Sequence, residues 1–212
     1  MAAGANYRLF WQEFRRTFHS TGAVLPSGRP LCRALARHVS GTGRSRRILE
    51  VGPGTGVVTD EILLQMGPSD SLTLVELNDR FVAALAERLK SDSRWQPHAG
   101  RVQIQHLPVE ELTADKPFDA IVSGLPFNNF EPEAVQTIFD RLAQLGGPGT
   151  TLSFFEYVGV RKFKGLVSKR EERLRLAGVE AALTKARRAW QFDRDCVVAN
   201  VPPAWVHHLR FD

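Results

Sequence analysis

A short apolar segment that runs directly into a glycine-rich turn constrains the fold of this chain more than any other feature. Residues 47–51 (R-I-L-E-V) predict a strand, residues 52–56 (G-P-G-T-G) a turn, and residues 57–66 a helix. A strand–turn–helix unit of this kind opens doubly wound α/β sheets, in which ligands bind outside the carboxyl ends of the strands. Glycines suit such a turn because a side chain would block close approach of the ligand. The segment therefore predicts a ligand-binding α/β fold.

The rest of the chain continues the alternation of strands and helices. Residues 161–190 are expected to be partly helical with an interruption at Gly178, and Ser27 is expected to cap a helix at 30–38. No repeat and no long linker divides the chain, so one doubly wound, mostly parallel seven-stranded sheet with helices on both faces is predicted. Residues 1–40 are assigned to an N-terminal helical segment and residues 41–212 to the main part of this single domain. The other predicted strands are 72–76, 102–105, 120–123, 150–158, about 196–199 and about 205–211, and the other predicted helices are 79–90 and 131–145.

Composition places the chain among ordinary folded proteins. It has 212 residues, of which 43% are hydrophobic, and it has only two cysteines, Cys32 and Cys196. These values exclude intrinsic disorder and a disulfide framework, and they favour a reducing compartment. No stretch approaches the roughly 18 apolar residues of a membrane span. A soluble intracellular protein is expected, and no metal is expected because the histidines and cysteines lack ligand spacing.

Positive charge is concentrated in two segments. Residues 1–47 hold nine arginines and one acid, a net charge of +8, and residues 161–188 hold ten basic and three acidic residues, a net charge of +7. Since the whole chain carries +5, the remainder carries −10. The two basic segments are either solvated helix faces or a docking surface for a polyanion, which would be nucleic acid or an anionic bilayer.

Aromatic residues recur at helical spacing within the first basic segment. A helix there would carry aromatics on one face and arginines beside them, as interfacial membrane helices do. The same stripe could instead pack on the core of the protein. The predicted membrane-binding residues are Tyr7, Phe10, Trp11, Phe14, Arg15, Arg16 and Phe18.

The glycine turn has a supporting acid at the end of the next strand. Glu76 lies 20 residues beyond Gly56, at the offset where an acid binds ribose hydroxyls. The G-x-G-x-G spacing after Glu50 resembles motif I of the class I S-adenosylmethionine-dependent methyltransferases. That resemblance implies their Rossmann-like fold, S-adenosylmethionine as cofactor and S-adenosylhomocysteine as product; otherwise Glu50 is an ordinary capping residue beside a tight turn. The implied cofactor-binding residues are Glu50, Gly52, Gly54, Thr55, Gly56, Glu76, Leu77, Leu107 and Ser123.

The segment after the fourth strand lies where a methyl acceptor must bind. Its sequence, Ser123-Gly124-Leu125-Pro126-Phe127, resembles the N-L-P-Y motif of ribosomal RNA adenine dimethyltransferases. Here Gly124 replaces the asparagine and Phe127 the tyrosine. One alternative is therefore an RNA adenine N6-methyltransferase in which Leu125, Pro126 and Phe127 stack on a flipped base.

A second resemblance covers nearly the whole chain. Residues 21–27 (T-G-A-V-L-P-S), 49–56, 122–127 and 200–206 (N-V-P-P-A-W-V) together are similar to segments of the bacterial phospholipid N-methyltransferases. Residues 106–108 (H-L-P) depart from that family's pattern. The resemblance implies N-methylation of phosphatidylethanolamine towards phosphatidylcholine, with ornithine lipid as another acceptor. It implies a cytoplasmic protein bound peripherally to the anionic inner face of the cell membrane, with no nucleic acid and no obligate protein partner.

Methyl transfer to an amine requires a free lone pair on nitrogen and a group that takes up the proton. The candidate catalytic residues are Tyr157, Ser123 and Leu125, and Glu156, the lipid phosphate or a water are alternative proton acceptors. The weaker titratable alternatives are His19, His106, His207 and His208. A non-enzymatic binding module on this fold is the remaining alternative, and the intact glycines, Glu50 and Glu76 count against it.

Overall fold

The computed structural model describes residues 28–41, 44–158 and 170–212, and these form one seven-stranded sheet covered by helices. The strand order is β3-β2-β1-β4-β5-β7-β6, and β1 to β5 are parallel while β7 runs antiparallel between β5 and β6. This is the doubly wound sheet predicted from the sequence. The strands are β1 (Arg47–Val51), β2 (Ser71–Glu76), β3 (Val102–His106), β4 (Ala120–Ser123), β5 (Thr151–Tyr157), β6 (Gln191–Val197) and β7 (Ala204–Arg210).

Helices cover both faces of the sheet and enclose two apolar cores. One core packs α4 and α5 against one face, and the other packs α1 and α2 against the opposite face. The central strands β1, β4 and β5 are buried almost throughout, as expected for parallel strands covered on both faces. The helices are α1 (Arg29–Ala36), α2 (Val57–Gln65), α3 (Asp79–Ser91), α4 (Pro132–Leu145) and α5 (Arg170–Trp190).

The register brings the carboxyl ends of the central strands to one edge of the sheet. Val51 pairs with Val75 on β2 and with Ser123 on β4, and Ser123 pairs with Phe154 on β5. Glu76 ends β2 one residue beyond Val75. This edge, called the carboxyl edge below, is where the sequence placed a ligand.

Three expectations about local structure are corrected. Gly178 does not interrupt the last helix: α5 passes through it, and a Cβ there would lie 2.6 Å from Pro132 Cγ, so the glycine permits close helix packing. Strand β6 spans Gln191–Val197 rather than 196–199, because it is a polar edge strand without apolar alternation. Helix α1 begins after Gly28, not Ser27, and no side chain caps it.

Helix α1 belongs to the core of the domain. Leu31, Cys32 and Leu35 are buried in the cluster that also contains β1 and α2, so the core crosses the expected boundary at residue 40. Residues 1–27, with the aromatic stripe, lie outside the described residues. Within the described ranges, no helix has the length and apolar content needed to cross a bilayer.

Candidate functional site

The glycine turn after β1 adopts a backbone that side chains oppose. Gly52, Gly54 and Gly56 have φ values of +70°, +57° and +83°. A Cβ on Gly52 would lie 2.7 Å from Leu125 Cδ2, whereas a Cβ on Gly54 would meet nothing within 4 Å. Gly52 therefore lets the loop after β4 (residues 124–127, called the acceptor loop below) pack against the turn, and Gly54 leaves open space above the turn. Both line a pocket at the carboxyl edge.

Glu50 is a fully buried acid next to this turn. Thr59 Oγ1 donates a hydrogen bond to Glu50 Oε2 at 2.7 Å, while Oε1 is buried without a hydrogen-bond partner among the described residues. Burial raises the pKa of Glu50 from 4.5 to about 8. A buried acid with an unpaired oxygen is suited to a cationic ligand, because a positive charge beside it would stabilise the carboxylate.

Glu76 holds the opposite wall of the pocket. Its carboxylate accepts hydrogen bonds from the backbone N–H groups of Gly54 (3.1 Å), Leu77 (2.8 Å) and Asn78 (2.8 Å). Burial raises the pKa of Glu76, and these three amides oppose that rise. The acid thus ties the turn after β1 to the end of β2, at the position where the sequence placed a ribose-binding residue.

Apolar side chains complete the pocket. Of the predicted cofactor-binding residues, Gly52, Gly54, Glu76, Leu77 and Leu107 line it, and so does Leu125 of the acceptor loop. Six further lining residues outside the loop after β4 were not predicted from the sequence, and among them only Asn78 carried a signal, as the cap of α3. They are Val51, Val75, Asn78, Phe81, Pro108 and Val109.

Besides Glu50, three predicted residues lie beside the pocket rather than in its wall. Ser123 is fully buried, and its Oγ accepts a weak hydrogen bond from Leu125 N at 3.4 Å. Gly56 precedes α2, and a Cβ there would lie 2.7 Å from the ring of Trp95. Thr55 is exposed in the turn, directly before Gly56. Their roles in cofactor binding stay predictions.

The acceptor loop is packed too tightly to carry a base-binding side chain at Gly124. A Cβ on Gly124 would lie 2.5 Å from the carbonyl oxygen of Gly52. Phe127 is only 2% exposed and contacts Phe139 and Phe154, with ring centroids 5.0 Å and 5.8 Å away. It is a core residue, so the expected alternative in which Phe127 stacks on a flipped base does not fit this arrangement.

A groove of about 1000 Å³ lies between α5 and strands β5 to β7. Glu156 is buried on its wall, forms an ion pair with Arg187, and lies 2.9 Å from His207 Nε2. Tyr157 also lines the groove, and burial raises the pKa of its phenol. The Glu156 side chain thus faces α5, whereas the ring of Tyr157 packs on the other face of β5 against Phe155, with ring centroids 5.0 Å apart.

Asn200 connects the segment at 200–206 to helix α1. Its Oδ1 accepts a hydrogen bond from Gly28 N at 2.9 Å, and its Nδ2 donates to Pro202 O at 2.8 Å. The amide side chain satisfies a backbone N–H at the start of α1 that the helix itself cannot pair. The segment that resembled the lipid enzymes thus holds the start of α1, which packs on one face of the sheet.

Comparison with known proteins identifies the domain. A sequence-family model described as a methyltransferase domain matches residues 48–149, which include every residue lining the pocket. Residues 48–149 form a methyltransferase domain. Two solved structures share the fold of this methyltransferase: the O-methyltransferase of Bacillus cereus in complex with S-adenosylhomocysteine (14% identity, 96% of this chain and 89% of that chain, TM-score 0.63) and the glycopeptide N-methyltransferase MtfA (13%, 89% and 92%, TM-score 0.64).

Two sequence relatives differ in how much of the methyltransferase they match. The ornithine lipid N-methyltransferase of Singulisphaera acidiphila is 25% identical over 153 residues, 70% of this chain and 76% of the relative. The ribosomal RNA small subunit methyltransferase A of Parasynechococcus marenigrum is 34% identical over 99 residues, 46% of this chain and 29% of the relative. The chain therefore spans less than a third of the RNA enzyme.

The fold is the Rossmann-like fold of class I methyltransferases, and S-adenosylmethionine is the cofactor of this domain. The pocket fits that molecule. The unpaired oxygen of Glu50 suits an α-ammonium, Glu76 suits ribose hydroxyls, and the apolar wall of Phe81, Leu107 and Val109 suits an adenine ring. The activity is S-adenosylmethionine-dependent methyl transfer.

Proposed function

We propose that this methyltransferase N-methylates phosphatidylethanolamine and its partly methylated products towards phosphatidylcholine, at the inner surface of the cell membrane. The main support for the proposal is the similarity to the ornithine lipid N-methyltransferase. This similarity covers 70% of this chain and 76% of that relative. Phosphatidylethanolamine and ornithine lipid both present an amine on a lipid headgroup. Ornithine lipid is therefore the alternative acceptor within the same class.

The acceptor loop supports an amine in preference to a nucleobase. A base requires hydrogen-bond partners and a flat surface on which to stack. Gly124 has no side chain and no room for one, and Phe127 is enclosed by other aromatic rings. A primary amine is small enough to reach the methyl donor past Leu125 and Pro126, and it needs neither those hydrogen-bond partners nor a stacking surface.

The groove offers cations for the phosphate of a lipid headgroup. The guanidinium groups of Arg173, Arg188 and Arg194 line it, while the carboxylate of Glu156 is paired with Arg187. In the described part of the chain, Arg173 and Arg188 form no ion pair, while Arg194 lies over the ring of Trp205 at 4.7 Å. Arginine binds phosphate oxygens well because its planar fork donates two parallel hydrogen bonds.

The chemistry is an in-line displacement, for which the protein supplies proximity and alignment. When bound, S-adenosylmethionine supplies an electrophilic methyl group on a sulfonium. The side chains at the carboxyl edge must hold the amine neutral, and burial lowers an amine pKa. Tyr157 keeps its proton because burial raises its pKa, so its oxygen orients the amine by accepting a hydrogen bond rather than acting as a base. The released proton passes to water.

Membrane binding by the N-terminal aromatic stripe belongs to the same proposal, although those residues lie outside the described ranges. Replacing Phe10, Trp11 and Phe14 with serine should lower the fraction of protein that sediments with vesicles of phosphatidylethanolamine and phosphatidylglycerol, because the interfacial apolar face is lost. Leu64→Ser is the matched control, since Leu64 is 75% exposed at the opposite edge of the sheet. An unchanged bound fraction in the triple variant would assign the stripe to the protein core.

RNA adenine methylation is the second candidate, and the 34% identity to a ribosomal RNA methyltransferase over 99 residues favours it. A competition for labelled methyl groups separates the two. Protein and labelled S-adenosylmethionine are mixed with phosphatidylethanolamine/phosphatidylglycerol vesicles, with ornithine-lipid vesicles and with unmodified ribosomal RNA. Label in phosphatidylethanolamine is the expected result, and thin-layer separation counts the methyl groups. Label in RNA alone would refute the lipid proposal.

A further inference from the structure

Exposed apolar side chains collect at the carboxyl edge. Six large hydrophobic side chains are exposed in the described part of the chain, and two of them, Leu64 and Phe192, lie at the opposite edge. The other four lie at the carboxyl edge and are called the apolar edge patch here. They are Val158 (42% exposed), Leu174 (63%), Val198 (73%) and Val201 (73%).

Each residue of the apolar edge patch is placed there by the fold. Val158 directly follows β5, and Val198 and Val201 lie in the turn that joins the end of β6 to the start of β7. Leu174 lies near the start of α5, where the neighbouring Arg175 donates a hydrogen bond to Asn128 O at 3.0 Å, just beyond the acceptor loop. The patch therefore borders the same edge of the sheet as the cofactor pocket.

Positive charge accompanies the patch. Arg170 and Arg173 are exposed at the start of α5, and of the two acids there Glu172 is held by Arg175 at 2.8 Å, leaving Glu171 exposed. Residues 159–169 join Val158 to α5, both at this edge, and their sequence holds four basic residues and no acid. Such a surface suits a bilayer that contains anionic lipids. The apolar side chains can enter the membrane interface, and the cationic side chains can bind lipid phosphates.

We propose that the carboxyl edge is the face with which the methyltransferase sits on an anionic bilayer, with the β6–β7 turn inserted through Val198 and Val201. This inference rests on the proposed function and adds an orientation to it. The cofactor pocket opens towards the lipid, so a headgroup amine reaches the methyl donor while its acyl chains stay in the bilayer. The occupant of the patch is the lipid surface rather than another protein chain, because the acceptor itself enters by this edge.

Paired charge substitutions test the surface. The double variant Val198→Asp/Val201→Asp should bind phosphatidylethanolamine/phosphatidylglycerol vesicles at least about tenfold more weakly than the unaltered protein, because each added negative charge opposes insertion and repels the anionic surface. Leu64→Asp is the control for the single variant Val201→Asp, because each adds one negative charge at an equally exposed site, and Leu64→Asp, on the opposite edge, should bind almost as well as the unaltered protein. Calorimetric affinity for S-adenosylmethionine, unchanged in all three variants, verifies folding. Equal vesicle binding by Val201→Asp and Leu64→Asp would overturn the proposal.

Site-specific labelling gives a second readout that loss of folding cannot mimic. Cysteine is placed at Val201 or at Leu64 in a Cys196→Ser background and labelled with an environment-sensitive fluorophore; Cys32 is buried and stays unlabelled. Vesicles should shift the emission of the label at 201 to the blue and leave the label at 64 unchanged. A label at 201 that stays in water, or is already shielded without vesicles, would overturn the proposal, even if phosphatidylethanolamine is methylated. Insertion at 201 without lipid methylation would support the surface and refute the acceptor.

Discussion

Glu50→Gln should stabilise the methyltransferase while weakening its affinity for the cofactor. The buried Glu50 has a pKa of about 8 in the folded chain and an ordinary value of 4.5 when unfolded. Between these two values the folded state holds a proton that the unfolded state has lost, so stability falls as pH rises from 4.5 towards 8. Glutamine is neutral throughout, and its Oε1 still accepts the hydrogen bond from Thr59.

The size of the effect follows from the difference between the two pKa values. At about 1.4 kcal/mol per pH unit, the advantage of Glu50→Gln grows from below about 1 kcal/mol at pH 5 to about 3 kcal/mol at pH 7. For a chain of this length, about 3 kcal/mol raises the midpoint of thermal unfolding by roughly 6–12 °C. Cofactor affinity should fall in the same variant, because glutamine offers no charge to an α-ammonium.

Urea unfolding at pH 5 and pH 7, with and without S-adenosylmethionine, measures both effects. Glu87→Gln is the control, because Glu87 is exposed on α3 and its substitution should leave the pH dependence unchanged. The reasoning is refuted if the stabilities of Glu50→Gln and of the unaltered protein change in parallel as pH rises. Glu50 would then ionise with its ordinary pKa in the folded protein.

Three further substitutions test how the site is held. Glu76→Ala removes the acceptor of three backbone amides and should lower calorimetric affinity for S-adenosylmethionine at least about tenfold, each net hydrogen bond contributing about 1 kcal/mol; unchanged affinity would remove Glu76 from the site. Gly124→Ala forces a Cβ to 2.5 Å from Gly52 O and should cost about 1–3 kcal/mol in urea unfolding, whereas Gly100→Ala, with nothing within 4 Å, should not. Asn200→Ala loses both of its hydrogen bonds and should cost about 1–2 kcal/mol; no loss would show that α1 is held by packing alone.

The parts of the site that lie close together in sequence were predictable. The strand, the glycine turn and the spacing to Glu76 depend on local backbone geometry, and the structure brings Gly52, Gly54 and Glu76 into one pocket. The order of strands and helices followed from apolar periodicity. The cofactor was predicted from the spacing of Glu50, the three turn glycines and Glu76, which resembles the S-adenosylmethionine-binding motif of class I methyltransferases.

The features that depend on tertiary contact were not predictable. Gly178 looked like a helix interruption because glycine has low helix propensity, yet its lack of a side chain serves packing against Pro132. Phe127 looked available for stacking because it stands at the tyrosine position of the motif, but three aromatic rings enclose it. The groove between α5 and β5–β7 is lined by residues that are far apart in sequence, so no local sequence pattern predicts it.

The lipid profile of a living cell tests the central claim most directly. The chain is expressed in a bacterium that contains phosphatidylethanolamine and lacks phosphatidylcholine, beside the Glu76→Ala variant as a control for cofactor-dependent transfer. Mass spectrometry of the extracted lipids should show phosphatidylethanolamine carrying one, two and three added methyl groups with the unaltered chain and a strong reduction with the variant. An unmethylated lipid profile from a chain that is folded and binds S-adenosylmethionine would contradict the claim.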